Sequence, residues 1–430
     1  MRRKLSILLL SAILVLSAFG FVSANPYEVT EPITITWWHA HEKQWHDTLN
    51  YMVEKFNAEN PLITVEPVYI GNYREVQTRL IAAVASGDVP ALATSNTAYP
   101  AAFGAAGICE ILDPYIEAFD FNLNDYGEGL VNSTIFEGEV ITLPYLTSTQ
   151  VMYYNKTAAE AEGIEMPRTF ADMDAFLEKA TIFNEDGTTA RYGTVFGGWD
   201  YIYFEMIYRN NGVKLVLEDG LSTDVNSEMS VYITTKIKEW IDKGYAYFAY
   251  GTGSSSAMRQ RFWDGEAFSV FHTSSLYDTY VENIGGKFEV GIAWTPGSID
   301  GQNFYSQVSG STILIPAVAS QRQKNAAWQF MMFMASPEMN LYWADETGYF
   351  PTRRSLIGTP EYEEYLERKP AMETVVNMSN WIVGRNNHPA FDSCALQWRD
   401  ALATIFNEGA PVQATLDRLA DSIVETLEDF

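Results

Sequence analysis

Between residues 34 and 94 the chain alternates β-forming runs with runs of helical period, and no other feature constrains the fold as strongly. Thr34-Ile35-Thr36-Trp37-Trp38-His39 is rich in β formers and alternates in polarity. Over residues 42–60, Trp45, Leu49, Met52, Val53 and Phe56 recur at helical spacing, and Pro61 stops the helix. Residues 63–70 read as a second strand. After Gly71-Asn72, the positions Val76, Leu80, Ile81 and Val84 define another helix, ended by Gly87-Asp88-Val89-Pro90, and residues 91–94 offer a third strand. Strand, helix, strand, helix, strand predicts an α/β fold built on an open sheet flanked by helices, in which ligands gather at the carboxyl ends of the strands.

A second constraint lies at residues 143–156. Two apolar runs there enclose four polar residues, Thr147-Ser148-Thr149-Gln150. One reading is an ordinary strand with a polar loop. The other is a strand that leaves one sheet, shows hydrogen-bonding side chains to something, and joins a second sheet. The second reading divides the molecule into two lobes.

Met1-Arg2-Arg3-Lys4, an apolar run over 5–22 and Val22-Ser23-Ala24 have the pattern of a secretory signal peptide, residues 1–24. The run is short and interrupted by serines, and no basic cluster follows it, which argues against a membrane anchor. A periplasmic protein is expected. About 400 residues would remain, enough for two lobes with separate cores. The formal net charge of −27 makes nucleic acid an unsuitable partner. It does not exclude an anionic ligand, because surface charge is screened within about 10 Å while a few cations in a cleft act locally. The two cysteines, Cys109 and Cys394, allow one disulfide or none.

His39, His41 and His46 lie close in sequence, but no thiolate or clustered carboxylate completes a metal set, so neither metal nor cofactor is expected. Further along, residues 170–183 read as a helix capped by Thr169. Residues 192–201 read as a strand running into a glycine loop that carries Trp199 and Tyr201. Residues 267–275 form an apolar strand closing in hydroxyls. Residues 290–297 are expected to lead back to the first lobe, followed by a strand over 310–316, the helix of Ala326, Phe330 and Phe333, and a third passage near Gly348-Tyr349-Phe350. Helices over 360–378 and from 391 onward would finish the second lobe. The expected lobes are 25–149 with 295–350 and 150–294 with 351–430.

Trp37-Trp38-His39, Phe56-Asn57-Ala58-Glu59-Asn60-Pro61, Gly71-Asn72-Tyr73, the run from Ile81 to Ala91, Tyr153-Tyr154-Asn155-Lys156 and Thr347-Gly348-Tyr349-Phe350-Pro351-Thr352 together resemble the extracellular solute-binding proteins of ABC importers, family 1. Among these the likeness is to the periplasmic sn-glycerol-3-phosphate binders. The resemblance implies a two-lobed periplasmic-binding-protein-like fold with several hinge crossings, no catalysis, and a monomer that hands a small solute to a membrane permease. It also implies a ligand site at Tyr73, Ser148, Gly310, Tyr349 and Arg385, with Trp199 and Tyr201 in a loop that bears two tryptophans in the relatives. Two positions depart: Thr97 replaces a ligand glutamate and His272 a ligand serine. Losing the carboxylate removes a strong acceptor for hydroxyls, while a histidine adds a donor or a positive charge. Glycerol 3-phosphate or a related glycerophosphate is the first expectation and a neutral sugar or oligosaccharide the second. From another class, a secreted carbohydrate-active enzyme would need paired carboxylates, and the cleft segments are poor in them. Taken singly, each site residue also has an ordinary structural reading: half-buried tyrosines, a salt-bridged arginine, a turn glycine.

Overall fold

A computed structural model of the protein describes residues 25–41, 43–197, 202–251 and 253–429, without the side chains of 202–204. The leader segment 1–24 and the loop residues Trp199 and Tyr201 therefore lie outside the described residues. Among the described residues no helix is long and apolar enough to cross a membrane.

The alternation that opens the chain becomes strand β1 (Ile33–His39), helix α1 (His46–Glu59), β2 (Ile63–Tyr69), α2 (Tyr73–Ser86) and β3 (Leu92–Asn96). β1 lies between β2 and β3 and is parallel to both. A long strand, β4 (Leu143–Asn155), follows, then β5 (Thr189–Gly197), β6 (Ala246–Ala249), helix α3 (Ser254–Trp263), β7 (Ala267–Thr273), β8 (Val290–Ala293), β9 (Ser306–Leu314), helix α4 (Gln321–Met334), β10 (Ile382–Val383) and helix α5 (Phe391–Glu408). Hydrogen bonding runs through one curled sheet in the order β2, β1, β3, β9, β4, β7, β5.

β4 changes neighbours along its length, and this is the source of the two lobes. Its first half, Leu143 to Thr149, pairs antiparallel with β9. Its second half, Gln150 to Asn155, pairs with β7 on one side and β8 on the other. The four polar residues do not interrupt the strand. They are fully buried within it, because backbone pairing continues through them and their hydroxyls find partners at the passage. Thr149 Oγ1 lies 2.7 Å from Ser306 Oγ, Ser306 Oγ donates to Gln150 O at 3.1 Å, and Thr149 N donates to Ser274 Oγ at 3.1 Å. A third strand-like passage adds a bridge between Thr147 and Phe350.

Each lobe has its own core. In one, Trp37, Phe56, Trp328 and Phe330 close the space between β1 and helices α1 and α4. In the other, Met152, Phe196, Phe271, Trp240 and Trp398 pack beneath α5 and the last helix, Val412–Glu428. Each fully enclosed phenylalanine contributes roughly 2–3 kcal/mol over an exposed one. A smaller cluster, with Tyr153, Tyr280, Val308 and Phe350, fills the region of the passages. Cys109 and Cys394 belong to different clusters and are free, buried thiols, so no disulfide joins them.

Local differences from the sequence reading have local causes. The helix expected over 170–183 is a 3-10 turn, Phe170–Asp172, and a helix Met173–Ala180. The Thr169 cap is formed, with Asp172 N donating to its hydroxyl at 3.3 Å. The Thr181 hydroxyl bonds back to Leu177 O at 2.7 Å while its backbone turns extended, which ends the helix early. The helix expected over 360–378 is two, Pro360–Arg368 and Met372–Asn377, because Pro370 lacks the amide that would continue it. The loop after β8 stays bonded to Asn210: Tyr305 N donates to Asn210 Oδ1 at 3.0 Å, and Asn303 Nδ2 to Asn210 O at 3.1 Å.

Candidate functional site

The strand ends of both lobes face a cavity of about 610 Å³. Its walls come from the carboxyl ends of β1, β2 and β3 (Ala40, Tyr73, Asn96, Tyr99), from the end of β7 (His272, Thr273, Ser275), and from the two passage strands (Ser148, Ser309, Gly310). This is the position expected for a ligand of an open α/β sheet. Trp45, Arg74, Arg259, Tyr349, Arg385, Asp392 and Arg399 also line it.

Tyr73 is set by its own helix start. The Asn72 side chain accepts from Glu75 N at 3.1 Å, and Asn72 N donates to Glu75 Oε2 at 2.7 Å, a reciprocal cap that puts Tyr73 at the first helical position. Gly71 precedes it with φ of +121°, and a Cβ there would run into the Glu75 carboxylate, so the turn needs glycine. The Tyr73 hydroxyl lies 2.5 Å from Ser311 Oγ on β9, which fixes the ring against the wall. Behind it, Tyr145 bonds to His41 and, at 3.1 Å, to Thr94 Oγ1, so the polar chain continues into the core.

Tyr349 is enclosed, its ring 5.5 Å from Trp45 and 6.0 Å from Trp343 at steep angles. Aromatic faces and hydroxyls alternate along this wall, a mixture suited to the apolar and hydroxyl faces of a polyol. Ser148 and Thr273 meet across β4 and β7, Thr273 Oγ1 donating to Ser148 Oγ at 3.0 Å. Arg385 follows β10, half-buried, and lies close enough to Glu205 to favour that buried carboxylate's charged form. Burial still dominates, and the Glu205 pKa is raised above the ordinary carboxylate range.

Of the residues predicted from sequence, Tyr73, Ser148, His272, Gly310, Tyr349 and Arg385 are brought together on this one cavity. Thr97 is not on its wall. It is buried, donating its amide to Gly310 O at 3.4 Å, and its neighbours Asn96 and Ala98 reach the cavity instead. Trp199 and Tyr201 lie outside the described residues. His272 does not bring a charge. Burial, reinforced by Arg259, pushes its pKa down to about 3, so the ring is neutral at physiological pH. The three-histidine cluster likewise holds no metal arrangement among the described residues. His39 and His41 stack at 5.6 Å; burial, then His46, lowers the His39 pKa, and burial, then His39 and His46, lowers that of His41, which keeps both neutral.

Sequence reasoning missed the other cations. Arg74 sits in the first turn of α2, Arg259 on α3 and Arg399 on α5. Nothing local sets them apart from solvated helix residues. A signal exists only on α5, where Asp392, Leu396 and Arg399 fall at spacings of four and three and so share one face. Arg74, Arg259, Arg385 and Arg399 line the cavity with Asp392 as the acid among the described wall residues, in a chain of net charge −27.

The family model for bacterial extracellular solute-binding proteins matches residues 51–374. The sn-glycerol-3-phosphate-binding periplasmic protein UgpB of Pectobacterium atrosepticum is 24% identical over 376 residues, 83% of this chain and 81% of the relative. UgpB of Escherichia coli K12 is 24% identical over 356 residues, 79% of each. Among solved structures, UgpB of Mycobacterium tuberculosis in complex with glycerophosphocholine superposes with a TM-score of 0.80 at 20% identity, over 92% of this chain and 99% of that one. The cyclic α-maltosyl-1,6-maltose binding protein of Arthrobacter globiformis gives 0.79 at 20% identity, over 93% and 100%. These two structures share the fold.

Proposed function

The chain belongs to the bacterial extracellular solute-binding proteins, the solute-capturing components of ABC importers, and from that premise we propose that its cavity captures a small anionic polyol, a glycerophosphate, and delivers it to a membrane permease. The observation that carries this reading is the set of four arginines, Arg74, Arg259, Arg385 and Arg399, around one cavity of a strongly acidic protein. Cations inside a low-dielectric cleft act at close range, while the acidic exterior is screened by salt. Arginine forks match phosphate oxygens, and the hydroxyls and rings of Tyr73, Ser148 and Tyr349 suit the glycerol part. The names of the UgpB relatives point the same way. Under this reading the leader 1–24 exports the chain to the periplasm. The lobes 25–149 with 295–350 and 150–294 with 351–430 then close on the solute by hinge motion at the strand passages. The protein acts as a monomer without a cofactor.

A neutral sugar is the second reading. Trp45, Tyr73, Tyr99 and Tyr349 on the wall favour it, since aromatic faces suit sugar rings. A carbohydrate-active enzyme would need a second carboxylate opposite Asp392. Calorimetry with sn-glycerol 3-phosphate, glycerophosphocholine and maltose tests the proposal. Tight binding of a phosphate and none of maltose is expected, and the reverse overturns it.

A further inference from the structure

Gln150 sits where the cavity gives way to the second core, with its side-chain amide enclosed and unbonded. The residue is 1% exposed, and neither Nε2 nor Oε1 has a hydrogen-bond partner. Buried amides are ordinarily paired, so one left open at both ends calls for a reason. Side chains alternate along a strand, so Ser148, Gln150 and Met152 share one face of β4. On β7 the partner opposite Gln150 is Thr273, and the partner opposite Met152 is Phe271. Ser148 and Thr273 line the cavity and bond to each other, whereas Met152 and Phe271 are core. Gln150 is thus the next side chain inward from the hydroxyl pair on the floor, about 7 Å along the strand from Ser148. An apolar residue would fill this place without the unpaired amide.

We infer that Gln150 is a specificity-determining residue that reads a hydroxyl of the solute at the floor of the cavity. An amide offers a donor and an acceptor side by side, which a hydroxyl answers in both senses, whereas a phosphate answers only the donor. Gln150 lies behind the wall rather than on it, so a solute hydroxyl meets it only past the Ser148–Thr273 pair. The inference rests on the cavity being the solute site, and it holds for a glycerophosphate or a sugar, since both carry hydroxyls.

The test uses whichever of sn-glycerol 3-phosphate, glycerophosphocholine and maltose the wild-type protein binds as the probe. Gln150→Met keeps length and volume and removes both polar atoms. Its dissociation constant for the probe is expected to rise tenfold or more, while its thermal unfolding midpoint stays level or rises, because an unpaired amide has gone. Gln150→Leu is the second variant if the first folds poorly. Among probe analogues lacking one hydroxyl each, one should bind the wild type about tenfold more weakly and lose nothing further in Gln150→Met. Unchanged affinity with a raised midpoint overturns the role of Gln150 and leaves the cavity assignment standing. If Tyr349→Ala also binds the probe as tightly as wild type, the cavity is not the solute site and both readings fall.

Discussion

Arg353 Nε donates to Asp125 Oδ2 at 2.7 Å, with the two side chains 9% and 8% exposed, so an ion pair is sealed between segments 228 residues apart. Ser355 adds its amide at 2.6 Å and its hydroxyl at 2.7 Å to the same carboxylate, and the guanidinium lies 4.5 Å from the Tyr126 ring. Asp125→Asn leaves the arginine charge buried without its counter-ion and is expected to cost about 3–5 kcal/mol in urea unfolding. The double variant Asp125→Leu, Arg353→Met should cost much less. Burial alone would raise the Asp125 pKa, but the bonds from Ser355 and Arg353 outweigh it and hold it below the usual range. Its stabilisation is therefore complete above the unfolded-state value near 4 and is lost as pH falls through the lower folded value.

The buried histidines act at higher pH. Burial, then His46, lowers His39 to about 4, and burial, then Arg259, lowers His272 to about 3. The unfolded chain takes up these protons below about 6.5, while the folded protein does not. Stability is thus full above that value and falls as pH drops toward 4. His39→Phe should flatten this slope by on the order of 3 kcal/mol at pH 4, read from urea midpoints at pH 7 and pH 4. His272→Gln should leave the pH profile of solute affinity between pH 5 and 8 the same as in the wild type, since the ring carries no charge there.

What sequence showed of this molecule was the part governed by short-range rules. Period and turn residues mark β1 to β3 and their helices, and hydroxyls mark the polar run of β4 and the end of β7, while Ser148, Gly310 and Tyr349 as site residues come from the family resemblance. Gly310 and Tyr349 fall beside them because both lie at passages between the lobes. The rest depends on how helices pack. Arg259 and Arg399 face the cavity only because α3 and α5 lie where they do; Arg259 carries no local sign of that, and Arg399 only the face it shares with Asp392 and Leu396. Thr97 lies between two wall residues, Asn96 and Ala98, and which of the three reach the cavity carries no mark in a loop sequence. The polar run in β4 admits both a loop and a passage between sheets from sequence, because its partners, Ser274 and Ser306, lie more than a hundred residues away.

Arg385 supplies the sharpest test of the solute's charge. If the solute is a phosphate, Arg385→Ala breaks a desolvated charge pair and should cost on the order of 2–5 kcal/mol of binding. A neutral sugar should lose much less. Calorimetry on wild type and variant reads the difference directly, and unchanged phosphate affinity would remove Arg385 from the site.

Gly310 holds β9 against β4 at the cavity, and its substitution should injure stability and binding together. Its φ is +107°, and a Cβ would come within 2.2 Å of Leu146 O and 3.2 Å of Ser148 N. Alanine there suffers backbone strain of about 1–3 kcal/mol, and the overlap with Leu146 is additional because a strand carbonyl cannot swing aside. Gly409, the cap after α5, provides the control: its φ is +74° and nothing lies within 4 Å of a built Cβ. Gly409→Ala should therefore cost only the left-handed penalty, about 1–2 kcal/mol, with affinity unchanged. Gly310→Ala should unfold at a clearly lower temperature than Gly409→Ala. Its solute affinity should also fall, since relieving the overlap moves the strand that carries Ser148. Equal midpoints for the two variants would mean that β9 can retreat from β4 freely, and that the passage is looser than its hydrogen bonds imply.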